Sequence, residues 1–386
     1  MQRIRNLLGH LMVTNTGNND DNTVLWLRNE TKYGEGRVAI TPANALKLIK
    51  NGYTIYVERS KTRCFNDIEY EKVGCELVTT NSWPNAPKHY YIVGLKELEP
   101  DWPKVLKHRH IMFGHCYKGQ NEAIPLLKRF INGNGELLDL EFLVNDQGRR
   151  VAAFGVSAGK AGMAMGLLTW AKQKMGESVG HVKPWKSEEA MIEETKFELN
   201  RVIKAGKAND LPKIIIIGAL GRCGSGAIYV ATKCGIPVEY ISKWDLEETK
   251  KGGPFKEIVF EHDIFVNCIR LMSKFPPFIT KEMCMNPNRQ LTVVSDIACD
   301  PNNPDNPVPV YNESSTVINP VERVIDGNIP LDVTSIDHLP SLIPISSSTE
   351  YSDALLPTLM NLNEYTNDPV WKRARDIYIE NINKIN

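Results

Sequence analysis

The chain has 386 residues, with 46 Lys plus Arg and 46 Asp plus Glu, so its formal net charge is zero. That length suits two domains, and 42% hydrophobic with 24% charged residues describes a folded globular protein. Nucleic acid is disfavoured as the main partner, because phosphate binding needs a basic surplus, and no apolar run approaches a membrane span.

The eight cysteines are scattered without a C-x-x-C pair, which argues against a structural metal site and against a secreted disulfide framework. A reducing, cytoplasmic setting is expected. The stretch 1–23 is expected to be a flexible N-terminal extension. Its Arg3 and Arg5, with no acid before Asp20, leave a short mitochondrial presequence open beside a plain tail.

VLWLRNE (24–30) reads as a strand entering a charged turn. In TPANALKLIKNG (41–52), Thr41 is the N-cap, Pro42 the first helical residue and Gly52 the stop. YTIYVE (53–58) alternates as a strand, 67–73 is helical, and HYYIVGLKE (89–97) and HIMFGH (110–115) are further strands. A second series opens with a long helix of small residues, 157–173, and a polar helical stretch. The strands IIIIG (214–218), VEYISKWD (238–245), DIFVNCI (263–269) and LTVVSDIA (291–298) follow. The proline-rich 301–312 is a loop, and a C-terminal helix over about 368–383 is expected to pack back on the first domain. This alternation predicts an α/β protein of two doubly wound, Rossmann-like domains with the site in the cleft between them. Residues 24–150 plus 340–386 would form one, and 151–339 the other.

KIIIIGALGRCGSGA (213–227) resembles a dinucleotide loop, but Gly218, Gly221 and Gly224 fall in an unusual G-x-x-G-x-x-G spacing. A helix starting near Gly224 would present its amides to a pyrophosphate. Alone, the loop is as readily a plain glycine-rich turn. Asp245, ending the next strand, strengthens the case: an acid there accepts both ribose hydroxyls of NAD and disfavours the 2′-phosphate of NADP.

In the first half, RNETKYGEGRVAITP (28–42), GLKE (94–97), GHCYK (114–118) and DLEFL (139–143) place polar residues at strand ends. In a parallel sheet these ends line the ligand crevice. Lys96 and His115 should face it, with Lys32, Arg37 and Lys118 as added cations and Glu97 and Glu141 as carboxylates. Each alone is more simply a solvated charge or a structural histidine. Together they suit a substrate with several carboxylates.

These stretches, with HCYK, DLEFLVNDQGRRVAAFG, GALGRCGSGA, KWD, GGPF, DIFVNC and SIDHLPSLIP, resemble the NAD-dependent, lysine-forming saccharopine dehydrogenase family from about residue 24 to the C-terminus. GEGRVAITP, with Glu35 and Arg37, also resembles the alanine dehydrogenase and transhydrogenase N-terminal element. The resemblance implies reversible conversion of saccharopine, NAD and water to lysine, 2-oxoglutarate and NADH. In that reading Lys96 takes the proton from the secondary amine and His115 is the acid–base for imine hydrolysis. Lys32, Arg37, Glu97, Lys118, Glu141 and Phe154 would surround the substrate, with Arg37 suited to a bidentate carboxylate grip.

NAD would meet Arg149, Gly221, Arg222, Asp245, Thr249, Arg270, Ile297, Ile336, Asp337, His338 and Leu339. Arg270 stands where the family can carry an aromatic residue, which bears on how strictly NAD is chosen. Cys223 and Cys268 also recur in the family, implying either a reversible disulfide that competes with NAD or two reduced thiols. No metal is implied, the partners are the small substrates, and a monomer is expected. The alternatives are a degradative lysine–2-oxoglutarate reductase and a catalytically silent NAD-binding regulator.

Overall fold

The computed structural model describes residues 22–271 and 273–385, so the expected N-terminal extension lies, except for its last two residues, outside the described part. Twelve strands form two six-stranded sheets. The first contains β1 (Val24–Leu27), β2 (Thr54–Glu58), β3 (Glu76–Val78), β4 (Tyr91–Val93), β5 (Arg109–Met112) and β6 (Glu136–Asp139), all parallel, in the order β3-β2-β1-β4-β5-β6. The second contains β7 (Ile214–Ile217), β8 (Ile241–Trp244), β9 (Ile264–Asn267), β10 (Val293–Asp296), β11 (Glu322–Ile325) and β12 (Leu331–Thr334), in the order β11-β12-β10-β9-β7-β8, with only the edge strand β11 antiparallel.

Among the parallel strands each order reverses direction once, between β1 and β4 in the first sheet and between β7 and β9 in the second. A crevice opens at such a reversal, because the connecting helices leave on opposite faces of the sheet. The stretches 28–37 and 94–97 leave the first reversal, and 218–221 and 268–270 leave the second.

The four isoleucines of β7 are fully buried, as a central parallel strand covered on both faces requires. Helix Pro42–Lys50 starts where Thr41 accepts the Asn44 amide, with Pro42 in its first turn. Helix Pro344–Leu359 carries the run SSST, which reads locally as a loop. Tertiary contact makes it helical: buried Ser348 and Ser352 accept the amides of Val38 and Thr41, and Tyr351 and Leu355 enter the first core. Helix Pro369–Asn383 packs on the same sheet, with Trp371 fully buried and its indole N–H on the Thr358 carbonyl. No described helix is long and apolar enough to cross a membrane.

Helix Gly155–Met175 explains its own small residues. It packs on the second sheet and crosses helix Arg222–Lys233 at backbone distance. A Cβ at Gly159 would stand 2.8 Å from the Cys223 carbonyl carbon and 2.9 Å from the Ala227 nitrogen. One at Gly226 would meet the Val156 carbonyl in return. Neither obstacle is a side chain that can turn away.

Gly159→Ala is therefore expected to destabilise the protein by about 1–2 kcal/mol. The overpacking cost of about 1–3 kcal/mol exceeds the roughly 1 kcal/mol that alanine gains in helix propensity. It should also weaken NADH binding, because Cys223 lies in the first turn of helix Arg222–Lys233. Urea denaturation with NADH fluorescence titration checks both, and a more stable variant would refute the contact.

Candidate active site

Residues 28–37 turn back over the end of β1. Glu35 and Arg37 are buried here (5% and 4% exposed) and joined by two bonds, Nε to Oε1 at 2.8 Å and Nη2 to Oε2 at 2.6 Å. Burial pushes the Glu35 carboxyl upward, but the hydrogen bonds and charge of Arg37 outweigh it and hold it below the usual range. The Arg37 guanidinium also lies 4.3 Å over the Phe154 ring, which stacks on Tyr351 at 4.3 Å. The guanidinium edge carrying Nε and Nη2 is taken up by Glu35. Glu35 is two residues away, and the Nη1 side of the guanidinium has no carboxylate partner in this pair.

Lys96 follows β4 by three residues. Its amine is held below the ordinary lysine value, first by burial and then by the positive charge of Arg37, with Lys32 adding to the effect and Glu35 opposing it. The neighbouring Glu97 bridges outward, 3.3 Å from Lys32 Nζ and 3.6 Å from His115 Nε2. His115 lies just beyond β5 in the left-handed region (φ 48°), which is uncommon for a residue with a side chain. The buried Asp139 receives the amides of Gly114 and Glu141, fixing the turn before His115, and burial raises its carboxyl to about 7. Lys118 is tied to Glu141 at 2.8 Å, and Arg150 stands 3.9 Å from the same carboxylate. A cavity of about 470 Å³ opens beside Lys32, Glu97, His115, Pro100 and Leu126, within the range of small-molecule sites.

The nucleotide loop leaves β7 through Gly218 (φ 87°) and has Gly221 as the N-cap of helix Arg222–Lys233. The helix thus begins two residues before Gly224. Gly224 lies inside its first turn, where a Cβ would come within 2.5 Å of the Ala219 Cα. Gly221 contributes no side-chain acceptor to the first-turn amides, which suits a pyrophosphate as their partner. The Asp245 carboxylate takes the Leu220 amide at 2.9 Å and the Leu246 amide at 2.9 Å, so the loop tip and the second strand end are joined.

Arg222 donates to the Arg150 carbonyl, and burial and the charges of Arg150 and Arg149 push its guanidinium below the usual arginine value. The three arginines therefore make one cationic rim. Asp337, three residues beyond β12, is lowered by His338 and also by the charges of Lys96 and Lys32.

The remaining expected cofactor contacts sit in varied local surroundings. Ile336 is 1% exposed in the second core, and Thr249 is buried with its hydroxyl on the Asp245 carbonyl. Ile297 and Leu339 close over Gly162, His338 lies 3.9 Å from Asp337, and Arg270 is exposed and paired to Asp300 at 2.6 Å. Arg149 closes a turn through Asn145. Cys268 stands beside Cys223: the neighbouring thiol, then burial, raises the Cys268 thiol well above its usual value. Both are free. Arg28, Glu30, Asp139 and Arg150 were not singled out from sequence, although all four sit within or beside the quoted stretches. Nothing in their spacing separates them from ordinary surface charges.

The chain is 50% identical over 368 residues to the saccharopine dehydrogenase [NAD(+), L-lysine-forming] of Emericella nidulans, covering 93% of this chain and 97% of that one. It is 47% identical over 365 residues to that of Schizosaccharomyces pombe, with 94% and 99% covered. The chain belongs to this family. A family model described as "Alanine dehydrogenase/PNT, N-terminal domain" matches residues 26–161. A solved L-alanine dehydrogenase shares the fold at TM-score 0.63 and 15% identity, covering 92% of this chain and 94% of its own. This bears out the two Rossmann-like sheets expected from the alternation of strand and helix.

Arg37 and Lys96 together generate a measurable expectation. In an NMR titration, the Lys96 Cε resonance, identified by its loss in Lys96→Met, should titrate below the reference lysine value of about 10.4. Arg37→Met should move its midpoint upward, because removing a neighbouring cation favours the ammonium form. A midpoint unmoved by Arg37→Met would exclude the coupling.

Proposed function

We propose that this chain catalyses the reversible NAD-dependent oxidative deamination of saccharopine to lysine and 2-oxoglutarate, with Lys96 and His115 as its acid–base pair. The supporting observation is a lysine held below its ordinary value beside a histidine–glutamate contact, across the cleft from a nucleotide loop. Bound NAD would supply the hydride acceptor, held by the first-turn amides after Gly221, by Arg222 and by Asp245. The carboxylate of Asp245 favours ribose hydroxyls over a 2′-phosphate, which speaks against the NADP-linked reductase reading.

Neutral Lys96 takes the proton of the substrate's secondary amine, so that its lone pair can form the imine as the Cα–H leaves. His115, oriented by Glu97, then handles the protons as water adds to the imine and the carbinolamine separates into lysine and 2-oxoglutarate. The cations Lys32, Lys118 and Arg150, with the open side of Arg37, receive the substrate carboxylates.

Saccharopine oxidation requires Lys96 neutral, so kcat/KM in that direction should rise with pH through its lowered value. Lys96→Met and His115→Gln should each lower kcat by roughly 10²-fold or more while NADH still binds. NADH oxidation with 2-oxoglutarate should respond to lysine above ornithine, alanine or glutamate. Failure with lysine, or activity with NADPH alone, would overturn the assignment.

Cys223 and Cys268 belong to the same proposal. Oxidation of the neighbouring thiols to a disulfide, with two electrons and two protons passing to an added diazene oxidant, would tie the first turn of the nucleotide helix to the end of β9. NADH affinity should fall after diamide and return with dithiothreitol. Unchanged affinity in an oxidised protein would remove the switch.

A further inference from the structure

An acid–base lysine works only if its amine stands where the substrate nitrogen will be, and a four-carbon stem does not set that position by itself. The backbone under it must be held. At Lys96 the sheet no longer does this on the β1 side, because the register between β1 and β4 ends at Leu27 and Val93. On the other side the chain still bonds to β5 and its continuation, through Gly94 N to the Ile111 carbonyl at 3.0 Å and Phe113 N to the Leu95 carbonyl at 2.9 Å.

The missing edge is supplied by an ion pair. Glu30 accepts the Leu95 amide at 2.7 Å and the Lys96 amide at 3.0 Å, one on each oxygen. Arg28 pairs with Glu30 at 3.3 Å and donates through Nη2 to the Lys96 carbonyl. Both peptide groups flanking the Lys96 Cα are thus gripped by side chains that are 2% and 8% exposed. Gly94 completes the arrangement, because any Cβ there would run into the Arg28 guanidinium.

A buried ion pair of this kind is poor value as a stabiliser, since desolvating two charges offsets most of their attraction. Its bonds are spent on two consecutive amides and one carbonyl around a single residue. We propose that Arg28 and Glu30 are positioning residues for the reaction, acting solely through the backbone of Lys96 to place its amine. This rests on the acid–base role given to Lys96 above.

The test is a double-mutant cycle with steady-state kinetics. Glu30→Gln puts an NH2 group where one acceptor faced an amide N–H, so that lock opens. Arg28→Lys replaces the guanidinium fork with one ammonium centre that serves Glu30 and the carbonyl less well. Each should lower kcat on the order of 10- to 100-fold, the scale of a small misplacement at a reacting group. NADH affinity and the KM for 2-oxoglutarate should stay within about twofold, a smaller change than the kcat effect sets.

In a Lys96→Met background, neither substitution should reduce the residual rate further, because no amine remains to be placed. Full activity in Glu30→Gln beside an impaired Lys96→Met would strike down the clamp alone. So would an equal fold-loss with and without Lys96. Full activity in Lys96→Met would strike down the acid–base reading and the clamp with it. Should Glu30→Gln fail to unfold cooperatively, the Arg28→Lys arm of the cycle decides by the same criteria.

Discussion

Two helices that touch backbone to backbone set the geometry of everything around the cleft. Gly159 and Gly226 let helices Gly155–Met175 and Arg222–Lys233 approach until only main chain separates them. The first begins at Phe154, whose ring lies between Arg37 and Tyr351 of the catalytic half. The second begins at Gly221, in the nucleotide loop. A close contact between the early turns of these helices therefore sets the distance from Arg37 to the first-turn amides after Gly221. Hydride transfer tolerates little error in that distance, since reacting atoms must come within about 3–3.5 Å. Side chains at this crossing would turn a fixed spacing into an adjustable one.

Charge is distributed within this frame by a repeated device. Cations of the catalytic half meet carboxylates: Lys32 meets Glu97 and Lys118 meets Glu141, each from a different strand end, and Arg37 meets Glu35 on its own segment. The pairs keep the cleft from accumulating uncompensated positive charge before a polyanionic substrate arrives. Lys96 is the exception, buried near two cations, and the resulting pressure toward the neutral amine is what a base near neutral pH needs. The carboxylates also act on backbone. Glu30, Asp139 and Asp245 each accept amides in the turns that follow strands, where sheet hydrogen bonds have run out.

Much of this was legible in the linear chain. Apolar runs of four to six residues, broken by turn signals, identified most of the strands near the cleft, and Thr41 with Pro42 identified a helix start. Strand-end placement brought forward Lys96, His115 and Asp245. The serine-rich helix Pro344–Leu359 was not legible, because its hydroxyls are satisfied by amides some 310 residues away. The short strands β11 and β12 carry too little periodicity to stand out, and the burial of Ile336 and Thr249 was not legible either.

By itself the sequence determined which chemical groups are present and roughly where each stands along its strand, since those properties follow from local periodicity and turn chemistry. The tertiary structure decided what each group can do. The depressed amine of Lys96 depends on burial and on Arg37, 59 positions earlier, its backbone grip on Arg28 and Glu30, and the neighbouring thiols on a helix start and a strand end. Burial and charge at a site are sums over neighbours in space. Only the folding of two sheets around one crossing of helices brings those neighbours together.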